Sequence, residues 1–154
     1  WSKYAGEQLL LSMAANVPLE VVSLRLFNVY GPEESGTGPY SLVMDFFRRA
    51  KALGVPLTVY GDGTQKRDFV HLEDVCRAIL KACETRASGV ILNVGSGRAV
   101  SIIQLARMFG GEVRFSPARD GDALATLADI SDTANVLGWR PTISLEQGVE
   151  TFLA

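Results

Sequence analysis

Histidine is almost missing from this sequence: His71 is the only one among 154 residues, and Cys76 and Cys83 are the only cysteines. Such an inventory cannot assemble a His/Cys metal cluster, so no metal is expected. The two cysteines stand seven residues apart in a helical pattern, which places them about 10 Å apart along one face. A disulfide needs Cα atoms within about 7 Å, so no bridge is expected, and both thiols read as inert core in a reducing cytoplasm. Long apolar runs are also absent. No stretch of ~18 uncharged apolar residues is there to span a bilayer, and Trp1-Ser2-Lys3-Tyr4 lacks the features of a secretory signal. The expected setting is therefore cytoplasmic, with no membrane partner. Basic charge is not in excess: 15 Lys and Arg against 17 Asp and Glu give a net charge of -2, which argues against nucleic acid as a partner. The chain opens at Trp1 without an initiator Met, and the expectation is that it starts inside something longer.

What is present is ordinary globular composition, 47% hydrophobic and 21% charged. The length suits one domain and can bury roughly 68–70% of the unfolded surface. Residues 2–16 carry apolar positions at Leu9, Leu10, Met13 and Ala14, the pattern of an amphipathic helix ended by Pro18. Residues 21–26 are β-branched and nearly all apolar, as a strand buried on both faces would be. Residues 28–39 read as a loop with breakers at Gly31-Pro32 and Gly36-Thr37-Gly38-Pro39. A helix follows over 40–53, with Leu42, Val43, Phe46, Phe47 and Ala50 on one side and Arg48, Arg49 and Lys51 on the other. Strands are expected at 57–60, 67–72, 90–94 and 112–115. Helices are expected at 73–85, at 102–109 capped by Ser101, at 131–137 and at 145–153. The class is α/β. Two long apolar strands are too few for a doubly wound sheet, so the chain looks short of partner strands.

Five strings carry more than local structure. They are Trp1-Ser2-Lys3-Tyr4-Ala5-Gly6-Glu7, Arg25-Leu26-Phe27-Asn28-Val29-Tyr30-Gly31-Pro32, Tyr60-Gly61-Asp62-Gly63 followed by Arg67-Asp68-Phe69-Val70-His71, Asn93-Val94-Gly95-Ser96-Gly97, and Arg119-Asp120-Gly121-Asp122. Their succession over all 154 residues resembles the extended short-chain dehydrogenase/reductases, in particular the NAD-dependent epimerase/dehydratases that act on nucleotide sugars, most like the UDP-glucose 4-epimerases. The resemblance implies the C-terminal part of a Rossmann-type doubly wound fold with a substrate-binding lobe. The last Rossmann elements would fall at about 1–30 and 89–97, and the lobe at about 31–88 and 98–154. NAD would be the cofactor of the intact enzyme and a UDP- or dTDP-linked sugar its substrate. A dinucleotide fingerprint needs a strand, a Gly-rich turn and a helix. Gly95-Ser96-Gly97 lacks the third glycine and comes too late, so NAD binding by this chain alone is not expected.

The resemblance also distributes roles. Lys3 matches the Lys of Tyr-x-x-x-Lys, where it would lower the pKa of a catalytic tyrosine and bond the cofactor ribose; that tyrosine would fall two positions before Trp1. Phe27 would lie near the nicotinamide, with a core aromatic as the alternative. Asn28 would contact substrate; the alternative is an Asx turn into Gly31-Pro32. Arg67 and Arg119 would present planar forks to a diphosphate, and Asp122 would accept from ribose hydroxyls. The alternative for each arginine is a surface ion pair with Asp68 or Asp120. Leu57, Thr58 and Val59 would lie beside the base, largely through backbone groups, and Tyr60 either stacks there or packs. His71 is expected to be a packed histidine bonding the backbone, and Asp74 to cap the 73–85 helix. Helix 2–16 would support a homodimer. The implied activity is epimerisation, by hydride abstraction and return at a sugar carbon. A dehydratase of the same family and a non-catalytic nucleotide-sugar-binding module are the alternatives.

Overall fold

A computed structural model describes residues 1–31 and 43–153. The helices are α1 (Ser2–Ala14), α2 (Val43–Ala52), α3 (Leu72–Glu84), α4 (Ile102–Phe109), α5 (Ser131–Leu137) and α6 (Leu145–Leu153). The strands are β1 (Val22–Leu26), β2 (Asn28–Tyr30), β3 (Leu57–Tyr60), β4 (Lys66–His71), β5 (Val90–Val94), β6 (Ala99–Ser101) and β7 (Val113–Ser116). β1 pairs β5 in parallel, from Val22 with Val90 to Leu26 with Val94. β4 is central to a second sheet, parallel to β2 and antiparallel to β6. β3 and β7 form a third, parallel pair.

Successive strand residues face opposite sides, and β4 uses both. Phe69 joins a core with Tyr30, Phe47, Leu57, Leu105 and Phe109. Its neighbour Val70 joins another with Val75, Leu92, Leu137 and Trp139. β4 is thus the wall between two cores. α3 and α5 pack on the side of β1 and β5, so that core draws on residues well beyond 1–30 and 89–97.

Several local expectations need correction. α1 forms but buries no residue, and Leu9, Leu10 and Met13 are exposed. β1 is not buried on both faces, since Arg25 and Leu26 are exposed. α2 turns Val43, Phe47 and Ala50 to the core as expected, but Met44 is also buried and Phe46 is exposed. Leu42 and the Gly36-Thr37-Gly38-Pro39 loop lie outside the described residues. β2 replaces expected loop and β6 forms where no strand is expected, three residues each, because β4 supplies their hydrogen bonds. His71 rather than Asp74 caps α3, its Nδ1 accepting from the Glu73 N–H at 3.3 Å while its ring packs edge-on to Tyr30. Asp74 is fully buried and serves a distant turn, accepting from the N–H groups of Thr142 and Ile143. Cys76 and Cys83 are exposed thiols on α3, not core. Ser101 does cap α4, in a reciprocal capping box with Gln104.

Candidate functional site

The site is built around the turn joining β3 to β4. Gly61 and Gly63 take φ values of +66° and +75° there, a region L side chains avoid. A Cβ on Gly63 would also come within 2.9 Å of Ile103 and Val59 side chains. Between them, the Asp62 carboxylate accepts from the Thr64 N–H at 2.9 Å and hydroxyl at 2.7 Å. Those bonds hold the Asp62 carboxyl below the usual carboxylate range. The turn brings the end of β3 and the start of β4 to the same opening.

That opening is a cavity of 190 Å³, lined among others by Asn28, Thr58, Tyr60, Arg67, Arg119 and Asp122. Six of the residues that the resemblance places on a ligand therefore meet in one place. Arg67 is mostly enclosed. One of its NH groups donates to the carbonyls of Lys66 at 2.8 Å and Ala123 at 2.7 Å, and the other pairs with Asp122. The partner is neither Asp68 nor Asp120. The Arg119 guanidinium lies 3.7 Å from the centroid of the Tyr60 ring, a cation–π stack, and makes no ion pair among the described residues. Two guanidiniums against one carboxylate leave the cavity positively charged. Asn28 stands in β2 rather than in an Asx turn, its Oδ1 accepting a long bond of 3.5 Å from the Thr126 hydroxyl.

Lys3 and Phe27 do not line this cavity. Lys3 is exposed in the first turn of α1. The Phe27 N–H donates to the Val94 carbonyl at 3.0 Å, prolonging the β1–β5 ladder.

Two further features shape the site. The first is the edge of β3, whose backbone groups the resemblance places beside the base. Leu57 and Gly61 donate their N–H groups toward β7, to the carbonyls of Glu112 and Ser116. By strand alternation the backbone groups of Thr58 and Tyr60 point the other way. Gln65 Nε2 donates to the Tyr60 carbonyl at 2.8 Å. The Thr58 N–H and C=O and the Tyr60 N–H remain without a partner among the described residues. The alternation was readable, but which edge lacks a neighbour is not a sequence property.

The second is Asp68, fully buried behind Arg67. Its carboxylate accepts from the N–H groups of Ser96, Gly97 and Ala128 and from the Ser96 hydroxyl. This bears on NAD. The Ser96 and Gly97 N–H groups, which could cradle a phosphate, already serve the protein's own carboxylate, and a Cβ on Gly95 would overlap Ala128. Among the described residues this turn does not fit a dinucleotide pyrophosphate.

Comparison with known proteins gives a consistent result. Residues 1–95 match the family described as NAD dependent epimerase/dehydratase. The dTDP-L-rhamnose 4-epimerase of Burkholderia thailandensis is 36% identical over 96% of this chain and 43% of its own length. The UDP-glucose 4-epimerase of Mycolicibacterium smegmatis is 32% identical over 96% of this chain and 49% of its own. Among solved structures, the UDP-glucose 4-epimerase of Thermotoga maritima with UDP-glucose superposes with a TM-score of 0.92 at 31% identity, covering 97% of this chain and 50% of that one. The chain thus spans about half the length of the curated relatives it matches.

Proposed function

The chain belongs to the NAD dependent epimerase/dehydratase family, and from that premise we propose that it is the C-terminal, nucleotide-sugar-binding half of a sugar-nucleotide epimerase. One observation carries the reading: Asn28, Thr58, Tyr60, Arg67, Arg119 and Asp122, from separate parts of the chain, line one positively charged cavity.

In this reading Arg119 and Arg67 face the diphosphate of a UDP- or dTDP-linked sugar. A planar fork matches two phosphate oxygens in a way that a lysine ammonium cannot. Asp122 exchanges part of its pairing with Arg67 for a ribose hydroxyl. The unpartnered Thr58 N–H and C=O and Tyr60 N–H meet the hydrogen-bonding edge of the base. Asn28, at the β2 end of the cavity, donates to and accepts from the sugar side. Epimerisation is proposed for the intact enzyme with NAD bound, and no step of it is assigned to this half; Lys3 and Phe27 keep their proposed places beside the cofactor there. Exposed Leu9, Leu10 and Met13 on α1 support self-association through that helix as part of the same proposal.

Calorimetric titration of the 154-residue chain tests this. UDP is expected to bind, and NAD is not expected to bind at micromolar affinity. Arg67→Ala and Arg119→Ala should each weaken UDP by about 10- to 100-fold, the worth of one charge-assisted contact. Micromolar NAD binding, or UDP binding indifferent to both substitutions, would overturn the reading.

A further inference from the structure

Resting on the reading that this cavity holds a nucleotide diphosphate, we propose that the apolar groove beside it receives the 5-methyl group of thymine, so that the site favours thymidine over uridine diphosphates. The cavity does not end at β3. Thr58 and Tyr60 also line a second opening of 370 Å³, whose outer walls include Phe46, Leu53, Val55 and Pro56. Three of these are exposed large apolar side chains: Phe46 at 47%, Leu53 at 76% and Val55 at 50%. Apolar side chains gathered along one groove, rather than scattered, mark a surface that something covers. The groove shares Thr58, Tyr60 and Arg119 with the diphosphate cavity, but the assignments given above leave Phe46, Leu53, Val55 and Pro56 without a role.

The unpaired edge of β3 suits a pyrimidine dione. A diphosphate at Arg67 and Arg119 sends the nucleoside along β3. There the outward Thr58 C=O asks for a donor and the Tyr60 N–H for an acceptor. A pyrimidine dione carries both side by side, as its N3–H and a flanking carbonyl. With N3–H and the C2 carbonyl on β3, the C5–C6 side of the ring faces away from the strand, toward the groove that Thr58 and Tyr60 share with Phe46. Uracil presents a hydrogen at C5 and thymine a methyl. Burying one methyl against Phe46 and its neighbours contributes about fourfold in affinity, from roughly 0.8 kcal/mol per carbon.

The test compares dUDP with dTDP, which differ only in that methyl and share the same deoxyribose, by calorimetric titration of the full chain. UDP and GDP are run alongside. The expected result is dTDP tighter than dUDP by about fourfold, with the ratio falling to about one in Phe46→Ala. Phe46 is half exposed, and the ratio is internal to each variant, so a change in overall stability does not mimic the effect. A ratio of one in the unsubstituted chain, or a fourfold ratio that survives Phe46→Ala, overturns the methyl pocket while leaving the diphosphate reading standing. GDP tighter than both pyrimidine nucleotides overturns the base assignment. No binding by any of the four overturns the nucleotide reading and the methyl pocket with it.

Discussion

Asp68→Asn keeps the shape of the side chain and removes its charge and one acceptor. Asp68 is fully buried. Its Oδ1 accepts from the Ser96 N–H at 2.6 Å and the Ser96 hydroxyl at 2.7 Å. Its Oδ2 accepts from the Gly97 and Ala128 N–H groups, each at 3.0 Å. An amide has a single acceptor oxygen. In its better orientation Nδ2 turns toward Ser96, whose hydroxyl rotates to accept. The Ser96 N–H is then left facing a donor. A buried unsatisfied donor costs about 1–3 kcal/mol, and the remaining bonds lose charge assistance. The expected loss is about 2–4 kcal/mol, a large share of the 5–15 kcal/mol typical of a domain. Urea unfolding followed by tryptophan fluorescence reads this, because Trp139 is buried at 3% exposure in the β5 core. The midpoint should fall with the slope unchanged. Asp68→Ala orphans three N–H groups and should cost more than Asp68→Asn. A loss below about 1 kcal/mol for Asn, or an Ala variant more stable than the Asn one, would refute the idea that this carboxylate ties the 95–97 turn and the 122–128 segment to β4.

Other outcomes follow from the same core. A Cβ on Gly148 would overlap the Tyr30 hydroxyl and come within 2.7 Å of its ring, so Gly148→Ala should cost about 1–3 kcal/mol by overpacking; urea unfolding should find the cost smaller when Tyr30→Phe removes the nearest atom. Tyr30→Phe alone should be neutral to mildly stabilising in the same assay, because the Tyr30 hydroxyl is buried with no partner among the described residues. Burial, with the nearby negative charges of Asp74 and Glu146, pushes the Tyr30 phenol above its ordinary range. The folded state therefore holds that proton more tightly than the unfolded state. Its contribution is fully present below about pH 10 and is lost as pH rises beyond it, by up to about 1.4 kcal/mol per unit. Alkaline unfolding curves should show that slope reduced in Tyr30→Phe.

The elements legible in the sequence are those whose signal is local. β5 announces itself as Val90-Ile91-Leu92, and α4 by the Ser101–Gln104 box. β2 and β6 were illegible because three residues carry no period; only β4, some 30 to 40 residues away, makes them strands. Phe46 and Phe47 illustrate a different limit. Adjacent aromatics lie about 100° apart on a helix, so an apolar run shows that one face is buried but not which residue centres it. The exposed apolar positions of α1 and β1 likewise could not be told from core by composition, since an apolar side chain does not name what covers it.

The candidate site was legible for another reason: its residues sit in strings whose order resembles a family. That route finds the side chains that reach a ligand and passes over those that hold them in place. Arg67 and Asp68 are the case in point. As neighbours of opposite charge they suggest a surface ion pair, the alternative role for Arg67. β4 makes this pairing unfavourable, because consecutive residues of a strand face opposite sides. Arg67 goes to the cavity and takes Asp122 as its counterion. Asp68 goes inward and gathers three backbone donors and a hydroxyl. One of those donors, Ala128, belongs to the same segment as Asp122 and Ala123, both partners of Arg67. The two neighbours thus grip one segment from opposite faces of the strand. Asp68 fixes its far end, and Arg67 holds its near end at the mouth of the cavity, where a ligand phosphate would compete for the guanidinium.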